Sequence, residues 1–198
     1  AQGIDRRTLV PPPFTLRYDL PVEAGIPWSR AVNDGIAEVA QSRPEAFIGF
    51  GTVPLQNPAA AVNELDRAVS ELGLRGIEIA TNIAGVELDD PGLAPFWSRL
   101  EAIGIPVLIH PHHVAGVERM GAVHLRNLIG NPVETALASS RLMFGGVLES
   151  YPGLKVILSH GGGALPGIAG RLEHARVVRS DVPGTRTIQD QMKQFYYD

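Results

Sequence analysis

The sequence predicts an α/β fold built on a parallel sheet, and three observations carry that prediction. Short apolar runs recur at Phe47 to Val53, Gly76 to Ala80, Ile105 to His110 and Lys155 to His160. Longer segments with apolar residues at helical spacing separate them. The runs are apolar without alternation, as expected of strands covered on both faces. Repeated strand–helix units of this kind fit either a doubly wound sheet or a (β/α)8 barrel, and composition does not choose between them.

In chain order, Thr8 to Val10 reads as a weak strand closed by Pro11 to Pro13. Residues 11–30, PPPFTLRYDLPVEAGIPWSR, read as one irregular insert, a kind of excursion that often lines a site. After the strand at Phe47, a helix is expected with Asn57 as its cap. Ala61, Leu65, Ala68, Val69 and Leu72 form its apolar face and Gly73 its stop. The next helix has Asp90 as cap, Pro91 at its first position and Gly104 at its end. The third begins at Asn131, Pro132 and Glu134 and is closed by Tyr151-Pro152-Gly153. QFYYD at residues 194–198 reads as one more strand.

With 198 residues, 44% of them apolar and 19% charged, the chain is expected to form a single domain over residues 1–198. The net charge of −4 and the lack of a basic run argue against nucleic-acid binding. No apolar stretch has the length of a membrane span. There is no cysteine, so a metal would have to use histidine and carboxylate ligands. The cytoplasm is the expected location.

Active sites of parallel α/β folds lie at the carboxyl ends of the strands. His110 ends one apolar run and His160 another. Each could be a core imidazole bonded to a backbone carbonyl, yet two at the same end of successive strands also fit one shared site. Gly161 to Gly163 clear all side chains behind His160, more than a tight turn needs. His112 and His113 follow Pro111 in a loop and read as surface, and His124 and His174 receive no role. Arg171 reads as a solvent-facing helix residue. The glycine run matches neither a phosphate loop nor a dinucleotide fingerprint.

The segments GIEIATNI, PVLIHP and GNPVETALASSRLMFGGVLESYPGLKVILSHGGGALPGIAGRLEHA resemble the amidohydrolase-related metal-dependent decarboxylases. That group acts on 2-amino-3-carboxymuconate-6-semialdehyde, γ-resorcylate and 5-carboxyvanillate. The resemblance implies a (β/α)8 TIM barrel, entered here just before its second strand and left at its seventh. It also implies one divalent metal, Zn2+, and non-oxidative decarboxylation of a small carboxylated aromatic or semialdehyde.

By the same resemblance His110 is a metal ligand, and His160 is the acid/base beside the metal. Arg171 binds substrate carboxylate, reaching a neighbouring subunit's site in a homodimer or higher homo-oligomer. The family's His-x-His pair and Gly-Ser/Thr-Asp-Tyr-Pro segment are not in this sequence. Asp198, in the family's Phe-Tyr-x-Asp, is not read as the missing aspartate ligand. His112 stands where the muconate-semialdehyde enzyme has tryptophan. Two other readings are a metal-dependent hydrolase or hydratase of the same superfamily and a non-catalytic fragment or degenerate homologue.

Overall fold

The computed structural model describes residues 3–184 and 186–198, so the single-domain reading over 1–198 also takes in residues 1, 2 and 185, which lie outside the described residues. Six strands form one sheet: β1 Arg7–Leu9, β2 Phe47–Gly51, β3 Gly76–Ala80, β6 Pro106–His110, β7 Lys155–Leu158 and β8 Phe195–Tyr197. A small antiparallel hairpin, β4 Asn82–Ile83 with β5 Val86–Glu87, follows β3. Every pairing in the main sheet is parallel, in the order β1-β2-β3-β6-β7-β8. Each strand therefore adds to the same side as its predecessor. A doubly wound sheet would reverse direction at a switch point, and this one does not. The alternative left open by composition is settled: the chain is a partial (β/α)8 barrel.

The helices are α1 Val22–Ser42, α2 Pro58–Ser70, α3 Ala94–Ile103, α4 Asn131–Phe144, α5 Val147–Ser150, α6 Leu165–Val178 and α7 Ile188–Met192. The expected cap holds α2, whereas Asp90 caps a 3₁₀ turn at Pro91–Leu93 that leads into α3. Asn57 accepts from the Ala60 N–H at 3.0 Å, Asp90 from the Gly92 N–H at 2.8 Å, and Gly104 closes α3 with φ 75°.

One expectation is corrected. Residues 11–30 are irregular only as far as Pro21, because Val22 to Arg30 form the first turns of α1, with Pro27 accommodated inside the helix. The buried stripe of α1 is Gly25, Ser29, Asn33 and Ala37, all of them small or polar. The third long helix, α4, begins at Asn131 as expected. A π-helical turn at Arg126–Gly130 runs directly into α4, so Asn131 already has helical backbone (φ −59°, ψ −48°).

Register and alternation sort the side chains into two faces. Ile77, Val107 and Val156 form one row across β3, β6 and β7, and Ile79, Ile109 and Leu158 the next. All six are fully buried against the helices, with Leu65, Phe96, Trp97, Leu100 and Leu142. Burying such a side chain contributes about 1.5–3 kcal/mol, which makes this layer the main source of stability. Glu78, Leu108, Ile157 and Tyr196 form a row on the opposite, barrel-lumen face. One residue beyond each buried row lie Ala80 and His110, again on the lumen face. Among the described residues no helix is long and apolar enough to cross a membrane.

Candidate active site

His110 closes β6 half-buried, at the carboxyl end of the sheet. Its Nδ1 lies 2.9 Å from the Pro111 carbonyl oxygen. A carbonyl can only accept, so Nδ1 carries the proton and the neutral ring offers the Nε2 lone pair. Ligating histidines are commonly anchored in this way, through the other ring nitrogen on a backbone carbonyl. Burial lowers the ring's pKa below its ordinary value. The His160 ring lowers it too, against the Pro111 carbonyl and the Asp198 carboxylate, which favour the cation. The neutral form is the one that binds metal.

His160 is not the last residue of its strand, as the sequence suggested. β7 ends at Leu158, and His160 opens a 3₁₀ turn with Gly161 and Gly162. Alternation past Leu158 would put Ser159 on the lumen face and His160 on the helix-covered one. Backbone geometry overrides it: His160 has φ 56°, and Gly161, Gly162 and Gly163 have φ 63°, 81° and 59°. Four successive left-handed residues return the imidazole towards His110, with ring centroids 4.9 Å apart and planes 74° apart. The ring remains exposed. The glycines thus do more than clear space. A Cβ on Gly162 would come within 2.8 Å of the Tyr197 ring, and one on Gly163 would collide with the Pro132 carbonyl oxygen.

As a test of metal fitness, His110 has the protonation, anchoring and burial of a ligand. Among the described residues, however, no group of three or more His, Cys, Asp or Glu could hold a metal ion. One imidazole supplies one of the four ligands that a tetrahedral site requires.

Arg171 lies on the exposed face of α6, and its side chain makes no hydrogen bond or ion pair among the described residues. The structure does not bring it to the histidine pair. His113 is exposed and His112 half-buried, their rings 4.5 Å apart, so the expectation of surface histidines holds for His113 more than for His112.

Of two further carboxyls, the sequence reading left Asp198 without a role and passed over Glu78. Asp198, just past β8, accepts from the Gly161 N–H at 3.2 Å. The signal was its place at the end of the strand that pairs with β7. Glu78 is fully buried on the lumen face, and neither carboxyl oxygen has a hydrogen-bond partner. Burial pushes its pKa up to about 8. The buried Tyr18 hydroxyl is close by, near Thr52 and the Ala80 main chain but bonded to neither, and Thr52, Thr81 and Ser159 also keep buried hydroxyls unpaired.

The sequence-family model described as Amidohydrolase matches residues 17–197. A 2-amino-3-carboxymuconate-6-semialdehyde decarboxylase of Dictyostelium discoideum is 39% identical over 179 residues, covering 90% of this chain and 50% of the relative. A γ-resorcylate decarboxylase of Rhodococcus jostii (strain RHA1) is 32% identical over 187 residues, covering 88% and 56%. The chain thus spans about half the length of these curated relatives. Among solved structures, a dihydroxybenzoic acid decarboxylase from Polaromonas sp. JS666, with bound manganese and the inhibitor 2-nitroresorcinol, superposes with a TM-score of 0.86 at 28% identity. That match covers 98% of this chain and 63% of the Polaromonas chain.

Proposed function

Because the chain belongs to the amidohydrolase family, we propose that it is the greater part of the barrel of a metal-dependent, non-oxidative decarboxylase acting on a small carboxylated aromatic or semialdehyde. The observation that carries this reading is the His110–His160 pair, with rings 4.9 Å apart at the carboxyl ends of adjacent strands. The decarboxylases among its relatives support it, and the manganese in the Polaromonas structure supports one divalent metal. Zn2+ is the ion proposed here, on the resemblance and the usual preference of imidazole donors. Metal analysis of the full-length protein distinguishes it from Mn2+.

His110 would supply one of the ion's ligands, through Nε2. A divalent ion in such a place supplies charge stabilisation beside the substrate carboxylate. His160 delivers the proton. As the carbon–carboxylate bond breaks, CO2 departs without the bonding electron pair, and the carbon that keeps the pair receives the proton from the imidazole. Arg171, without a side-chain partner among the described residues, pairs bidentately with substrate carboxylate from a neighbouring subunit of a homodimer or larger homo-oligomer. The proposed location is the cytoplasm.

The test presents the full-length protein with a panel of carboxylated aromatics and semialdehydes while following CO2 release and water addition separately. CO2 release is expected, and His160→Ala should lower it by about 10²–10⁴-fold, the worth of a positioned acid/base, with metal content unchanged. Water addition without CO2 would favour the hydratase reading. A metal-free, inactive protein would remove both.

A further inference from the structure

We propose that Asp198 is a positioning residue that braces the left-handed His160–Gly163 turn and so holds the His160 ring against His110. The proposal rests on the reading of His160 as the proton-exchanging group. It starts from strain. A left-handed backbone is strained for a non-glycine residue, and such conformations persist only where the surroundings over-determine them.

The surroundings here can be followed one N–H at a time. The Gly162 N–H donates to the Ser159 carbonyl at 3.1 Å and the Gly163 N–H to the His160 carbonyl at 3.0 Å. The Ala164 N–H donates to the Pro132 carbonyl at 3.0 Å, tying the end of the turn to the start of α4. Gly161 lies between these and has no main-chain acceptor. Its N–H goes to Oδ1 of Asp198. Hydrogen bonds to an ionised acceptor are about twice as strong as neutral ones, so a carboxylate suits this place.

Asp198 is itself held. Its N–H donates to the Leu158 carbonyl at 3.3 Å, carrying the β7–β8 ladder one residue past β8. Tyr197, the residue before it, packs its ring where a Gly162 Cβ would be and donates its hydroxyl to the Met192 carbonyl at 2.9 Å. Two adjacent residues at the end of β8 thus clasp two adjacent residues of the turn. By strand register Asp198 continues a lumen row that already holds His110 and Ser159. The brace therefore acts from the side on which the two imidazoles meet.

The experiment compares Asp198→Asn with Asp198→Ala in the full-length, metal-loaded protein. Asparagine keeps a carbonyl oxygen for the Gly161 N–H and loses only the charge. Asp198→Ala is expected to speed hydrogen–deuterium exchange of a peptide covering residues 158–164 by about tenfold or more. It should also lower kcat by about 10–100-fold, the scale of a small misplacement of a catalytic group, with KM and metal content little changed. Asp198→Asn should stay within about threefold of the parent in both readouts. Parental exchange in Asp198→Ala, or equal damage from both variants, would overturn the proposal. If His160→Ala keeps full turnover, the catalytic reading fails on its own, and the exchange measurement still decides the brace.

Discussion

At the scale of single residues the most consequential side chain outside the histidine pair is Glu78. It is buried without a partner and its pKa is pushed up to about 8, so at neutral pH the folded protein keeps a proton there that the unfolded chain, titrating near 4.5, has lost. Its contribution to stability is therefore fully present below about pH 4.5 and lost as pH rises through about 8. Glu78→Gln should flatten this part of the profile: between pH 5 and 9 the parent's urea midpoint should fall more than the variant's. Equal slopes would mean that Glu78 ionises with compensation from elsewhere in the barrel. An isolated buried carboxylate is costly, which is why the neutral acid is the form the lumen selects.

At the scale of elements, the turn after β7 separates space from handedness. A Gly161 Cβ would meet nothing within 4 Å, so Gly161→Ala is expected to cost only the left-handed strain, about 1 kcal/mol. Gly163→Ala adds a collision with rigid main chain at Pro132 and should cost roughly 3 kcal/mol. Denaturant midpoints of the two variants check the order, and equal losses would contradict it. The same turn shows where the sequence was legible. β2, β3, β6 and β7 announced themselves as apolar runs, α2 by its cap at Asn57 and α3 by its stop at Gly104. Helix α1 stayed hidden because Asn33 makes its contacts by hydrogen bonds. Its amide donates to the Thr52 carbonyl at 2.9 Å and to Glu64 at 2.7 Å, and its oxygen accepts from the Thr52 N–H at 2.7 Å. His110 and His160 could be found as strand-end imidazoles. The contact between them, and the part of Asp198 in it, depends on φ values and strand register that no residue pattern announces.

At the scale of the whole molecule, the lumen is the unfinished surface. Tyr196 is 58% exposed, Leu108 and Ile157 are half-buried, and β1 and β8 each pair on one side only among the described residues. Unpaired edges and uncovered apolar faces promote association. Prepared by itself, the 198-residue chain is expected to run in light scattering well above its 21.2 kDa, and a clean monomer would count against this view. The order β1-β2-β3-β6-β7-β8 also has a consequence in time. Within this sheet each strand after β1 finds a partner in the sheet strand released just before it. Assembly can keep pace with synthesis at about 5–20 residues per second, and the histidine pair forms only when β7 docks on β6. The two imidazoles thus meet only after β1, β2, β3 and β6 are already in place to orient them.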